Sequence, residues 1–344
     1  MFPRIKLANI IFVIIAIFVG SLLAGCSDAA QPTPTPSPVP TEAFPTAIPT
    51  ATPQPGVVWF IAPTQADPNL SQAIAAYLQG AASQSGLSYA NYPEFRQSEM
   101  PKNLKVAVFL DPGSDPDPAA LATSLPDTQF ILIGNGLPQA AGNVSVIDTQ
   151  LDQRLFVAGY TTTLVASDFR SGALFSEGDP LLAEKQDSFM NGGAYLCGRC
   201  IPVFTPLVVF PQAGTIPISA DTSSLEAAFD QINQNRIQTI YLPAEALDND
   251  FLTYLASQNV AMLGLQSPPD GFTNNWIATI QVDAITALDQ TWSKVVHGEG
   301  GQEALATISL EDVNPAWLTP GKEIMVKNVI SELAGGWVSP SSVE

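Results

Sequence analysis

The sequence predicts an α/β fold of two lobes, each a mostly parallel sheet flanked by helices. Three observations carry this. Short, continuously apolar runs recur from Val57 onward, as in Val57-Val58-Trp59-Phe60-Ile61-Ala62, and runs without polar alternation are strands buried on both faces. Helical stretches stand between them, which is the crossover that parallel pairing requires. The pattern then begins a second time, and two successive units of about a hundred residues each predict two lobes of similar plan.

The first strand, Val57 to Ala62, leads into a helix over Ser71 to Ser85 with apolar positions at Ile74, Leu78 and Ala81. Leu104 to Leu110 is a strand ending at Asp111-Pro112-Gly113, Ala119 to Leu125 a short helix, and Phe130 to Ile133 and Val144 to Ile147 further strands. Leu151 to Ala166 is a long helix that opens the second unit. Strands follow at Ser171 to Phe175, Leu207 to Phe210, Thr239 to Leu242, Val260 to Leu265 and Trp276 to Ile280. Helices over Pro180 to Leu196, Leu225 to Asn235, Ala246 to Ser257 and Asp283 to Val296 stand among them, and Glu323 to Val326 reads as strand. These assignments divide the body into a first lobe at 56–148, a second at 149–275 and a segment at 276–344 that crosses back between the lobes and completes the fold.

Ahead of this body, Arg4 and Lys6 precede an apolar run from Ile10 to Val19, and Leu23-Ala24-Gly25-Cys26 closes it. A charged start, an apolar stretch and small residues before a cysteine read as an export signal over 1–25. The run is short for a bilayer crossing, which takes about 20 apolar residues. The layout resembles the lipobox of bacterial lipoproteins, which implies cleavage before Cys26 and a diacylglycerol on its sulfur. Residues 26–55 form the tether. Its nine prolines between 31 and 55, with almost no charge, favour extended polyproline-like chain at about 3 Å per residue.

The net charge of −19 repels nucleic acid and anionic headgroups, and the body holds no Lys/Arg cluster, so nucleic-acid partners are excluded. With Cys26 lipidated, Cys197 and Cys200 remain. In an exported protein such a near pair is expected as a local disulfide. A redox pair belongs between a strand and a helix start, and this one follows a helix. Two cysteines with the sole histidine, His297, about a hundred residues away make a poor zinc site, and no metal or other cofactor is expected.

In the body, Asp152-Gln153-Arg154-Leu155-Phe156-Val157-Ala158-Gly159-Tyr160 directly follows Val144-Ser145-Val146-Ile147-Asp148. Gly172-Ala173-Leu174-Phe175 is followed by Phe189-Met190-Asn191-Gly192-Gly193-Ala194. In order and spacing these resemble a type I periplasmic-binding-protein fold, and within it the basic membrane protein family, lipoprotein substrate-binding components of ABC importers that include nucleoside binders. The resemblance spans about residues 57–340 and implies a monomer that takes a small polar ligand and docks on a membrane permease. One stretch departs from the family. Nucleoside binders carry an aromatic ring after the first strand, where this chain has Ala62-Pro63-Thr64-Gln65-Ala66-Asp67-Pro68-Asn69-Leu70, and Leu70 lacks an aromatic's stacking geometry.

Ligands of parallel sheets sit beyond the carboxyl ends of the strands. In the first lobe that rule selects Thr64, Gln65, Asp67, Asn69, Asp111 and Asn135. In the second it selects Ser176, Glu177, Asp179, Tyr241, Glu245 and Gln266, with Asp148 at the crossover. Each weighs against a local role. Asp67 and Asn69 are candidate helix caps, and Asp148 with Thr149 a cap for the helix from Leu151. Asp111 and Asn135 suit turns. Arg154 is expected to pack or to form a surface pair. Trp59, Phe175, Phe156 and Tyr160 are expected in or near the core. His297, at a helix end before Gly298, is expected in solvent, and no nucleophile–base arrangement or phosphate loop suggests an enzyme. A sensor lipoprotein serving a membrane receptor, or a structural surface lipoprotein with a degenerate pocket, is the alternative.

Overall fold

The computed structural model describes residues 54–64, 66–113 and 117–341. The export signal, Cys26, nearly all of the tether and Gln65 lie outside these residues. Among the described residues no helix is long and apolar enough to cross a membrane.

Two six-stranded sheets make the two lobes. The first is built from β1 (Val57–Ile61), β2 (Ser88–Tyr92), β3 (Leu104–Leu110), β4 (Gln129–Gly134), β5 (Val144–Asp148) and β11 (Glu303–Leu305). Its order is β11-β5-β4-β3-β1-β2, parallel throughout. The second is built from β6 (Ser171–Ser176), β7 (Gln212–Ile216), β8 (Thr239–Leu242), β9 (Ala261–Gly264), β10 (Trp276–Asp283) and β12 (Thr307–Glu311). Its order, β12-β10-β9-β8-β6-β7, repeats the first, with β12 antiparallel to β10. The central strands are almost wholly buried, Phe60, Phe130, Ile131 and Ile240 among them, as continuous apolar runs covered on both faces must be.

The helices are α1 (Pro68–Gln84), α2 (Pro118–Ser124), α3 (Leu151–Val165), α4 (Leu182–Cys197), α5 (Thr222–Asn233), α6 (Asn249–Ser257), α7 (Ala284–Val295) and α8 (Pro320–Ala334). Five begin on an aspartate whose carboxylate accepts amide hydrogen bonds of the first turn: Asp67, Asp117, Asp221, Asp248 and Asp283. Such a cap stabilises a helix start by about 1 kcal/mol. Part of the chain's acidity is therefore spent on helix starts. In α1 and α2 a proline fills the first helical position, where its missing N–H is no loss.

Two sequence expectations are corrected. Leu207 to Phe210 is not a strand: Leu207 is 62% exposed, and the segment is a loop between Pro206 and Pro211 in which Val208 packs partly on the core and the buried Phe210 bridges to Cys200. The edge strand is the more polar Gln212–Ile216. Glu323 to Val326 lies inside α8, whose buried Val326, Val329 and Leu333 repeat at helical spacing. Cys197 and Cys200 form a disulfide at the end of α4, with Cα atoms 5.3 Å apart.

The chain passes between lobes three times: from β5 into α3, from β10 into α7, and from β11 into β12. The second passage leaves at Asp283, so β10 belongs to the second sheet. The three passages are bonded side by side. The Ala306 amide donates to the Asp148 carbonyl at 2.9 Å, the Gln150 side-chain amide donates to the Ala306 carbonyl at 2.5 Å, and Thr307 pairs with Asp283. Gln150 sits at φ 53°.

Candidate functional site

The carboxyl ends of both sheets carry the loops selected from the sequence. In a sheet ordered 2-1-3-4-5 the crevice opens between its first and third strands, where the winding reverses. In the first lobe that point lies between the loop after β1, with Thr64 and Asp67, and the loop after β3, with Asp111. In the second it lies between Ser176–Glu177 after β6 and the turn at Ala244–Ala246 after β8, which carries Glu245.

Several selected residues are occupied locally. Asp67 is the α1 cap, accepting from the Asn69 and Leu70 amides at 2.8 and 3.2 Å. Asn69 stands exposed inside the first turn it was expected to cap. Asn135 Oδ1 accepts from Thr149 Oγ1 and from the Leu151 amide, both at 2.8 Å, and so fixes the start of α3. The positive φ angles fall on Gly134 and Gly136 beside it. Asp148 accepts from the Gln150 amide at 2.7 Å. Asp179 accepts from the Leu181 amide and pairs with Lys185. Glu177 Oε1 accepts from Thr215 Oγ1 at 3.1 Å.

Thr64 is exposed at the edge of a cavity of about 760 Å³ on the first lobe, walled by Phe95, Phe109 and Pro112. Ser176 and Gln266 are half-buried at the ends of β6 and beyond β9, and Glu245 is exposed. Tyr241 is 5% exposed and belongs to an aromatic cluster, its ring 5.7 Å from Phe175 and 5.9 Å from Phe189. Burial raises its hydroxyl pKa, and the nearby Arg154 opposes that rise.

Beside the crossover, Asp111 and Arg154 form no ion pair with a described residue. Asp111 sits at φ 44° after β3, a conformation aspartate tolerates better than most residues. Its carboxylate makes no hydrogen bond or ion pair with a described residue. A Cβ on Gly134 would stand 3.0 Å from Asp111 Oδ1, so the glycine keeps room for it. Asp111 is exposed, yet partial loss of hydration among its neighbours raises its carboxyl, against the pull of Arg154 and Lys185, while Asp67 adds to the rise.

Arg154 lies in the first turn of α3, half-buried, and its Nε is enclosed without a hydrogen-bond partner. The guanidinium forms no ion pair with any described residue. Burial lowers its pKa, while Tyr241 from the second lobe, Asp111 and Asp67 from the first, and Asp148 at the crossover act the other way. It remains a cation at neutral pH, as guanidinium does in proteins. The expectation of a packed or surface-paired arginine missed this placement: the first turn of a helix that opens on the crossover points into the cleft.

No protein-family model matches the chain, and no curated protein matches it in sequence. Solved structures do share its architecture. An ABC transporter solute-binding protein from Conexibacter woesei DSM 14684 superposes with a TM-score of 0.59 at 14% identity, covering 83% of this chain and 98% of that one. Solute-binding proteins of an ABC transporter system from Aeropyrum pernix K1 give 0.55 at 14% identity, over 83% and 87%. A transcriptional activator of the comK gene from Bacillus halodurans gives 0.59 at 9% identity, over 83% and 99%. The fold is type I periplasmic-binding-protein-like, two mostly parallel sheets flanked by helices.

Proposed function

We propose that this chain is an extracytoplasmic solute-binding lipoprotein, lipid-anchored at Cys26, that closes its two lobes on a small polar molecule and delivers it to an ABC importer. The observation that carries the reading is the cleft itself. Two sheets of one plan turn their carboxyl edges toward a hinge of three bonded passages, and a cation and a carboxylate stand there with no ion pair among the described residues. Contacts from both lobes favour a closed state only in proportion to what the ligand gains there, so a solute held by both sides drives closure. The tether gives the body reach for docking on a permease. Transcription regulators share the fold, but a chain at −19 is a poor companion for DNA. The resemblance to the basic membrane protein family adds nucleosides to the candidate solutes, against the substitution of Leu70 for the family's aromatic.

The test is native mass spectrometry of the chain purified from its own organism, followed by denaturation to release any bound molecule. A stoichiometric small solute supports the reading. An empty protein that also shows no thermal shift across a broad metabolite panel refutes it and favours the structural alternative.

A further inference from the structure

Resting on the solute-binding reading and deepening it, we infer that the cleft takes a zwitterionic solute, with a carboxylate on Arg154 and an ammonium group on Asp111. Arg154 and Asp111 belong to different parts of the fold, the first turn of α3 and the end of β3. The Asp111 amide donates to the Ile133 carbonyl at 2.7 Å and the Thr149 amide to the Gly134 carbonyl at 2.9 Å, so the end of β4 joins the end of β3 to the start of α3; no ion pair or hydrogen bond joins Asp111 to Arg154. Two opposite charges that stand near each other and stay unpaired leave a gap that a third body can fill.

Three other charged groups around the gap are engaged, while Glu245 stands exposed at the second-lobe edge. Asp67 caps α1, Asp148 holds the Gln150 amide, and Asp179 takes Lys185. The Arg154 Nε is already enclosed. Its two terminal nitrogens remain as a planar pair of donors, the geometry that reads a carboxylate with two parallel bonds. For Arg154, half-buried with an enclosed and unpartnered Nε, a charge without a partner is costly, and the compensation is largest when the ligand brings the opposite full charge; Asp111 stands open to solvent, where an incoming cation can reach it. A solute with a single anionic group would answer Arg154 and leave Asp111 facing it beside Asp67. A zwitterion answers both. Its two charged ends also span the first lobe and the crossover helix, so it ties together parts that closure must bring into register.

The test uses the full-length chain in detergent and isothermal titration calorimetry at pH 7. The probes are the proteinogenic L-amino acids and simple dipeptides, then, for each binder, its carboxamide and its deaminated acid. D-Glucose, D-ribose and adenosine form a third arm. The expected result is that at least one zwitterion binds, and that loss of either charged end weakens it on the order of 100-fold, as charge-assisted bonds in a desolvated site do. Arg154→Gln should bring the zwitterion down to the level of its carboxamide and leave the carboxamide nearly unchanged. Asp111→Asn should do the same with respect to the deaminated acid. The ligand series on the unmodified chain decides the matter even if a variant fails to fold. Binding confined to the sugars or the nucleoside would overturn the zwitterion assignment and leave solute binding standing. Equal binding of a zwitterion and its carboxamide would overturn it as well. Absence of binding in every arm would sink both readings.

Discussion

Helices α3 and α4 meet at a pair of glycines, and that contact permits a quantitative prediction. A Cβ on Gly159 would stand 2.8 Å from the Phe189 carbonyl carbon and 3.2 Å from its Cα, with the carbonyl oxygen nearer still. A Cβ on Gly192 would meet the Phe156 carbonyl in the same way, 2.8 Å from its carbon and 2.9 Å from the Tyr160 amide nitrogen. Real Cβ atoms essentially never come within 3.0 Å of a neighbour, and the obstacles here are backbone atoms that cannot swing aside. Gly159→Ala therefore forces the two helices apart by about 1 Å, an overpacking that costs about 1–3 kcal/mol and here falls at the upper end. Against this stands a gain of about 1 kcal/mol in helix propensity. The net loss of about 2 kcal/mol lowers Tm by about 3 °C for a body of this size. Gly80→Ala is the matched control: it sits exposed within α1 with nothing within 4 Å of its added methyl. There the propensity gain acts alone and Tm rises. Differential scanning calorimetry of both variants decides it, and a Gly159→Ala protein as stable as the Gly80→Ala protein would refute the close-packing argument. The contact bears on function because α3 carries Arg154 and α4 carries Lys185.

Three further outcomes are expected. Gln150→Ala removes the side-chain bond to the Ala306 carbonyl and leaves a buried acceptor unpaired, which lowers unfolding free energy by about 1–3 kcal/mol in urea melts. Asp283 is held below the usual carboxylate range by the Thr286 hydroxyl and amide. Its contribution is present above its ordinary value of 3.8 and is lost as pH falls through the folded value. Tm measured from pH 7 to pH 2 should therefore fall less steeply in Asp283→Asn, and an unchanged acid limb would contradict this. Asp111 has the opposite sign: burial raises its carboxyl, so its contribution is complete at low pH and fades as pH rises through the folded value. Asp111→Asn should thus raise the Tm of the ligand-free chain at pH 7 and not at pH 3; an equal shift at both values would exclude the electrostatic cause.

The alternation of apolar runs and helices made the two sheets legible, because central parallel strands need hydrophobic side chains on both faces. The strands that escaped notice are the edges. Ser88–Tyr92 and Gln212–Ile216 occupy the same place in the two sheets, each pairing with one neighbour only, and an edge needs few apolar side chains. The more apolar Leu207 to Phe210 drew the assignment away from Gln212–Ile216, but it is flanked by Pro206 and Pro211, which have no amide to donate to a ladder. In α8 a short run of apolar residues reads as strand until Pro320 is recognised as a helix start. At the cleft, the rule about strand ends located Asp111 from sequence order alone. It was blind to Arg154, which projects from a helix, and whether an arginine finds a surface partner depends on groups from three separate parts of the chain.

Ala306 is fully buried and is the single residue between β11 of one sheet and β12 of the other. It is pinned through Gln150 and Asp148 to the first passage, while Thr307 is paired with Asp283 of the second. Three chain segments stitched edge to edge resist sliding and twisting far more than they resist folding along their common line. The lobes are thereby left with close to one mechanical coordinate, an opening angle. A partner that touches both lobes at any distance from the hinge can read the state of the cleft as a single length, without contacting whatever lies inside.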